Sequence, residues 1–134
     1  MTSDAVATAA RVLIVDDDVS VTDTFSRRLR LEGYEVWSAL SAVQGLRLAE
    51  MHRPHAIILD LRMPLTNGIQ FLRGIRAVPG LTGTPVAIVT GDYTQDEAQA
   101  AEIRALGGEV RYRPLWLDEL VTLARDLLSL PVQR

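Results

Sequence analysis

The chain has 134 residues, enough for one domain with a buried core, and it contains no cysteine, which excludes disulfides and thiolate metal sites. Hydrophobic residues make up 48% and charged residues 23%, as in ordinary globular domains, and no apolar run approaches the ~20 residues that cross a membrane. The net charge of −3 argues against direct nucleic-acid binding, and the lack of cysteine favours the cytoplasm. We predict a flexible lead over residues 1–10, one domain over 11–130 and a tail over 131–134.

Short apolar runs alternate with amphipathic stretches along the whole chain. The runs predict strands over residues 12–15, 34–38, 56–60, 86–90 and 109–113, and the last of them has the weakest pattern. Each run is followed by a stretch with helical spacing, which gives five strands and five helices in alternation. This order predicts an α/β fold, a doubly wound parallel sheet covered by helices on both faces.

The stretches between the runs predict the helices. In the first helix Val21, Phe25 and Leu29 recur every four residues and predict a buried face, and Gly33 is expected to end it. Ser41 is expected to cap the second helix. The other helices are predicted over residues 67–77, 94–106 and 117–130. The second helix is expected to turn four side chains toward the core: Val43, Leu46, Ala49 and Met51.

Polar residues that can do chemistry follow the strands. They are Asp16, Asp17 and Asp18 after the first strand, Asp60 at the end of the third, Thr90 at the end of the fourth and Arg113 at the end of the fifth. The carboxyl ends of parallel strands meet at one edge of the sheet, so these side chains are expected together. Clustered carboxylates need a cation, and oxygen ligands without histidine or thiolate favour Mg²⁺ together with phosphate. Asp60 is the candidate nucleophile toward a phosphoryl group.

Each of these residues also has a simpler interpretation when it is considered alone. An aspartate at a strand end most often caps a helix or forms a turn, and this applies to the aspartate triplet as well. Thr90 alone is an ordinary strand residue, and Arg113 alone is a surface charge. Only the joint placement of all of them at one predicted edge favours a functional site.

Four motifs together resemble one protein family. They are Val15-Asp16-Asp17-Asp18, Asp60-Leu61-Arg62-Met63-Pro64 with Gly68 after it, Val89-Thr90-Gly91, and Arg113-Pro114. In this order and spacing the chain resembles the receiver domains of response regulators, the phosphoryl-accepting part of bacterial two-component systems. The resemblance covers about residues 11–130 and implies a flavodoxin-like sheet with strand order 2-1-3-4-5.

The resemblance also implies a role for each residue of the site. Asp60 would accept a phosphoryl group from a sensor histidine kinase or a histidine phosphotransfer protein. Asp17 and Asp60 would bind Mg²⁺ directly, Asp16 would bind it through water, and the Arg62 carbonyl would be a further ligand. Thr90 would then turn toward the phosphoryl oxygen. Such a domain catalyses only its own phosphoryl transfer and dephosphorylation and is not an enzyme on other substrates.

The resemblance further implies protein partners. A downstream protein effector is expected on the face formed by the fourth helix, the fifth strand and the fifth helix, and this face could also form a homodimer. No direct contact with nucleic acid or with a membrane is expected.

Two positions depart from the family pattern. Arg113 stands where lysine is usual, and because the chain has no lysine at all, a compositional bias explains this as well as a new function does. Val110 stands at the usual position of an aromatic switch residue, with Tyr112 expected on the opposite face of the strand. Trp116 is expected to be a partly buried core residue.

Two other functions stay open at this point. The chain could be a degenerate receiver that serves as a dimerisation or scaffold module without switching. It could also be a phosphatase with an aspartate nucleophile, because Asp16 and Asp18 have the spacing of that motif. Such phosphatases carry a cap over the site, for which this chain is short.

Overall fold

The fold was obtained as a computed structural model that describes residues 9–60, 65–91 and 97–130. Its strands are β1 (Arg11–Asp16), β2 (Glu35–Ala39), β3 (Ala56–Asp60), β4 (Val86–Thr90) and β5 (Gly108–Tyr112). Its helices are α1 (Val19–Leu31), α2 (Ala42–His52), α3 (Leu65–Arg76), α4 (Glu97–Ala105) and α5 (Leu117–Ser129). Most of the predicted lead and the whole predicted tail lie outside the described residues, as do Arg62 and the predicted start of the fourth helix.

The five strands form one parallel sheet in the order β2-β1-β3-β4-β5, which confirms the predicted flavodoxin-like architecture. β3 and β4 are buried at every position, and β1 at every position after Arg11. Continuous burial explains why these strands appear in the sequence as unbroken apolar runs, because both faces of a parallel sheet are covered by helices.

The core has two layers, one on each face of the sheet. Side chains of β1 and β3 alternate between them, so that Val15 and Leu59 face one layer while Ile14 and Ile58 face the other. The first layer includes residues of α2, α3 and α4, and the second includes residues of α1 and α5. Successive residues of a strand therefore pack against different helices, α2, α3 and α4 on one face and α1 and α5 on the other.

Several helix ends follow the sequence signals. Gly33 has a φ of +98°, and the N–H groups of Gly33 and Tyr34 donate to the carbonyls of Arg30 and Leu29, which closes α1. The Ser41 side chain accepts the Gln44 N–H at 3.1 Å and caps α2 as predicted.

The turn before β5 differs from its prediction. Gly107 has a φ of +74° and follows α4, and β5 begins at Gly108, one residue before the predicted strand over residues 109–113. A Cβ atom at Gly108 would lie 2.8 Å from Leu72 Cδ2 of α3. Glycine is therefore used at Gly108 because α3 packs tightly against the start of the strand.

The predicted inner face of α2 is wrong at two of four positions. Ala49 is buried and Leu46 packs against the core, but Val43 and Met51 are 67% and 65% exposed. At 3.6 residues per turn Met51 lies almost opposite Ala49, so these four side chains do not share one face. Gly45 occupies the contact with the sheet instead, and a glycine gives no hydrophobic signal in a sequence.

We expect Gly45→Ala to destabilise the domain by about 1–2 kcal/mol, although alanine normally stabilises a helix. A Cβ atom at Gly45 would lie 2.8 Å from Val15 Cγ2 and 3.1 Å from Phe71 Cε1, and both side chains are buried. The matched control is Gly68→Ala in α3, where the nearest atoms lie at an ordinary 3.5 Å. Urea denaturation of both variants checks this, and a Gly45→Ala variant as stable as Gly68→Ala would contradict it.

At the edge of the sheet where the strands begin, Arg11 and His55 form hydrogen bonds that join β1 to the end of α2 and to the residues after it. The Arg11 guanidinium donates to the carbonyls of His52 and Arg53 at the end of α2. His55 Nδ1 accepts the backbone N–H of Arg11 at 2.9 Å. Burial, and secondarily the Arg11 charge, lower the pKa of His55 below its ordinary value.

This shift predicts a small loss of stability in mild acid. The unfolded chain takes up the His55 proton below about pH 6.5, whereas the folded chain resists it, so stability falls as the pH drops through that window. The difference in unfolding free energy between wild type and His55→Gln should therefore shrink from about pH 7 to pH 5. In the control variant His52→Gln the loss of stability in mild acid should remain as in wild type. A difference in unfolding free energy between wild type and His55→Gln that is the same at pH 7 and pH 5 would contradict the prediction.

No helix in the described part of the chain is long and apolar enough to cross a membrane.

Candidate functional site

The polar residues predicted to meet do end their strands at one edge of the sheet. Asp16, Asp60 and Thr90 are the last residues of β1, β3 and β4, and Arg113 directly follows β5. The backbone N–H of Arg113 donates to the Thr90 carbonyl at 2.9 Å, which continues the pairing of the two strands past the end of β5. The fold therefore brings together four residues that are far apart in the sequence.

Two carboxylates lie side by side at the centre of this edge. Asp16 and Asp60 are partners in the β1–β3 register, and both are buried, with Asp60 only 4% exposed. Asp16 Oδ1 accepts the backbone N–H of Asp18 at 2.9 Å. Two buried acids on neighbouring strands repel each other, so this edge needs positive charge.

The other two aspartates of the triplet have different surroundings. Asp17 is exposed at the rim of the site. Asp18 caps α1, because its Oδ1 accepts the Ser20 N–H at 2.9 Å and the Ser20 hydroxyl at 2.7 Å. The capping interpretation therefore holds for Asp18, which was not predicted to be a metal ligand.

Arg113 supplies positive charge to the buried pair. Its Nε and Nη2 donate to the same oxygen, Asp60 Oδ1, at 2.8 Å and 2.5 Å. The Arg113 side chain is 22% exposed, so this ion pair lies mostly out of water, where charge-assisted hydrogen bonds are strong. The peptide bond between Arg113 and Pro114 is cis.

Thr90 lies at the same edge but belongs to the other face of the sheet. Alternate residues of a strand share one face, so Thr90 shares its face of β4 with Val86 and Ile88, which pack into the layer with α3 and α4. Asp60 has the parity of Ile58, which packs into the layer with α1 and α5. By strand alternation the Thr90 side chain therefore belongs to the face opposite that of Asp60, a detail that the position at a strand end could not reveal.

The prediction for Tyr112 is wrong. Side chains alternate along a strand, so Val110 and Tyr112, two residues apart, share one face, and Val110 packs into the layer with α3 and α4. Tyr112 is the register partner of Thr90 and is 41% exposed. An aromatic ring therefore does lie on the face and at the level of Thr90, although not at the usual position.

Trp116 is not a core residue, contrary to the prediction, since it is 67% exposed. Its backbone N–H donates to Glu119 Oε1 at 3.0 Å at the start of α5. Two exposed aromatic side chains, Tyr112 and Trp116, therefore flank Arg113 in sequence.

The donor atoms at this edge suit a hard cation. Asp16 and Asp60 supply adjacent carboxylates, and Mg²⁺ is commonly bound by one or two carboxylates together with water. Among the described residues, however, no group of three acidic or histidine side chains is close enough to hold a metal ion. Asp17 is exposed and Asp60 Oδ1 is paired with Arg113, while the Arg62 carbonyl lies outside the described residues.

Comparison with known proteins identifies a family for this fold and site. Residues 12–108 match the response regulator receiver domain. The chain is 35% identical over 125 residues to the transcriptional regulatory protein PrrA of Mycobacterium tuberculosis, covering 93% of this chain and 52% of that protein. It is 32% identical over 122 residues to the response regulator MprA of Mycobacterium ulcerans, covering 90% of this chain and 50% of that protein.

Solved structures agree with these relatives. The chemotaxis response regulator CheY4 of Vibrio cholerae matches with a TM-score of 0.78 and 29% identity, over 90% of this chain and 100% of that one. The chain spans about half the length of the curated relatives described above. From the family match, the sheet order and the strand-end site, the chain belongs to the response regulator receiver domains.

Proposed function

We propose that Asp60 accepts a phosphoryl group from a phosphohistidine on a sensor histidine kinase or a histidine phosphotransfer protein. The observation that carries this proposal is the buried Asp60 carboxylate, which lies beside Asp16 and is paired with the Arg113 guanidinium. A carboxylate in such surroundings is costly as a purely structural group, because two acids and a cation have been brought out of water together.

The transfer is a single displacement at phosphorus. A carboxylate oxygen of Asp60 forms a bond to phosphorus as the bond from phosphorus to the histidine nitrogen breaks, which leaves an acyl phosphate and a free histidine. Such transfers need mainly alignment and neutralisation of charge. Arg113 lies within contact of the acceptor and can pair with phosphoryl oxygens, and Asp16 and Asp17 would hold Mg²⁺ with Asp60. Mg²⁺ would neutralise the negative charge of the phosphoryl oxygens.

The signal would leave through a protein surface. Because Thr90 lies on the face of α3 and α4, its movement toward a phosphoryl group would pull on the turn at Gly91 that leads to α4. A groove of about 450 Å³ between β5 and α5 is lined by Tyr112, Leu115 and Glu119 among others, and it could receive part of a downstream effector or a second copy of the chain. The domain would then remove its own phosphoryl group without acting on other substrates.

Beryllofluoride, which mimics a phosphoryl group, tests this proposal together with Mg²⁺. Amide chemical shifts or tryptophan fluorescence should change in wild type and should not change in Asp60→Ala. The absence of any response in a folded wild-type protein would contradict switching and would favour a scaffold role. Turnover of a generic phosphate ester would instead favour a phosphatase, and we expect none.

A further inference from the structure

A cavity of about 470 Å³ lies at the edge of the sheet where the strands begin, opposite the edge that carries Asp60. Leu81 and Leu127, which line it, are each only 1% exposed. Small-molecule sites in proteins combine such apolar walls with a few polar groups that fix the orientation of the ligand. Four residues of the lining can donate hydrogen bonds from their side chains: Arg11, Arg53, His55 and Thr84.

The two arginines of this cavity have no acidic partner. Arg28, Arg73 and Arg111 each pair with an acid, but neither Arg11 nor Arg53 forms an ion pair within the described part of the chain. No acidic residue is among the described residues that line the cavity. Two cationic groups without a carboxylate create a positive potential in the cavity, and such a potential attracts an anion.

Main-chain carbonyl groups orient both guanidinium groups. Arg11 donates through Nε and Nη2 to the carbonyls of His52 and Arg53. Arg53 in turn donates through Nη1 to the carbonyl of Pro79. Towards the described residues, Arg11 Nη1 and the Nε and Nη2 atoms of Arg53 form no hydrogen bond. The carbonyl groups therefore hold the guanidinium groups without cancelling their charge, and several N–H donors remain for a ligand.

His55 and Thr84 add two neutral donors. His55 Nδ1 accepts the backbone N–H of Arg11 at 2.9 Å, so the proton of the neutral ring lies on Nε2. Thr84 is 7% exposed, and its hydroxyl makes no hydrogen bond with any residue that the structure describes. A buried hydroxyl without a partner is costly, so a ligand oxygen that accepts from it would stabilise the site.

We propose that this cavity binds a small amphiphilic anion, with a carboxylate or phosphate head at Arg11 and Arg53 and an apolar body against Leu81 and Leu127. Planar guanidinium groups suit both heads, because each head can accept two parallel hydrogen bonds. Burial of the apolar body adds affinity in proportion to the area that it removes from water. The site shares no residue with the edge that carries Asp60, so the inference goes beyond the proposed function and does not depend on it.

Amide chemical shifts of the full chain, titrated with hexanoate and with hexyl phosphate, test the proposal. Both probes should shift the amides of Arg11, His55 and Leu81, with a dissociation constant of about 1 mM or below. Hexanol lacks the charge and inorganic phosphate lacks the apolar body, so each should bind at least about tenfold more weakly. Whichever charged probe binds more tightly identifies the head group, and either result supports the site. Equal affinities for hexanol and hexanoate would overturn the inference.

Variants of the lining show whether the predicted donors are responsible. Arg53→Gln should weaken hexanoate binding at least about tenfold, because charge-assisted hydrogen bonds are lost. Thr84→Val keeps the branched shape, removes only the hydroxyl, and should weaken binding about threefold. The matched control is Arg125→Gln, which removes the same charge from an exposed position of α5 outside the lining and should stay within about twofold of wild type. Equal affinities of Arg53→Gln and Arg125→Gln would contradict the proposal.

The same titrations detect other occupants and other sites. If a second copy of the chain covered the cavity, the amides of Arg11, His55 and Leu81 would shift with protein concentration in the absence of any probe. If the probes bound at the opposite edge of the sheet, the shifts would centre on Asp60 and Thr90 instead. Either result would overturn the inference, and neither would bear on phosphoryl transfer to Asp60.

Discussion

Asp60→Asn is expected to lower phosphoryl acceptance by at least about a hundredfold, to the background of other carboxylates. The amide has nearly the size of the carboxylate but lacks its nucleophilic oxygen, and Arg113 loses the charged partner that it contacts through Nε and Nη2. Intact mass spectrometry after incubation with acetyl phosphate and Mg²⁺ measures the fraction of phosphorylated protein.

The matched control for this variant is Asp118→Asn. Asp118 is an exposed aspartate in the first turn of α5, where its carboxylate pairs with Arg28 at 3.1 Å. We expect the Asp118→Asn variant to be phosphorylated to the same extent as wild type. Equal phosphorylation of Asp60→Asn and Asp118→Asn, with both variants folded by circular dichroism, would show that another residue is the acceptor.

Ile103→Ala is expected to cost about 2–4 kcal/mol and to loosen α4 more than the rest of the domain. Ile103 is the only fully buried side chain among Glu97–Ala105, so this helix has a single apolar anchor in the core. Polar contacts also join this region to α3: Arg73 pairs with Glu102, and Arg76 donates to the carbonyl of Leu106 at 2.6 Å. Polar ties of this kind contribute less than the burial of an isoleucine.

Urea denaturation measures the total loss of unfolding free energy in Ile103→Ala, and amide hydrogen exchange shows which part of the domain is destabilised most. The control is Arg104→Ala, which truncates the next, exposed residue of the same helix and should change stability by less than about 0.5 kcal/mol. Faster exchange in α4 than elsewhere is the expected pattern for Ile103→Ala. Exchange that rises evenly through the domain, or no loss of stability, would contradict the role of Ile103 as the anchor of α4.

The fold could be predicted from the sequence because its strands bury both faces. Val12-Leu13-Ile14-Val15 and Ala56-Ile57-Ile58-Leu59 are unbroken apolar runs that end in acids, and such runs are typical of central parallel strands. The edge of the sheet that holds Asp16, Asp60, Thr90 and Arg113 followed from the same strands, because parallel strands end together. The location of the site at this edge could therefore be predicted without knowing any side-chain contact.

Other features depend on packing that a sequence pattern does not contain. Gly45 lies close to Val15 and Phe71 because it has no side chain, so no hydrophobic signal indicated that this position belongs to the inner face of α2. The exposure of Trp116 could not be inferred from its size and apolar character alone. The fork of Arg113 on one oxygen of Asp60 is likewise a matter of geometry, although the choice of arginine was visible in the sequence.

The most direct test of phosphoryl transfer to Asp60 is chemical mapping of the acceptor. Borohydride reduces an aspartyl phosphate to homoserine, which peptide mass spectrometry detects at a single position after phosphorylation by a kinase or by acetyl phosphate. We predict homoserine at position 60 and nowhere else in the chain. Homoserine at position 16 or 17, or no homoserine in protein that has gained the mass of a phosphoryl group, would contradict the role of Asp60.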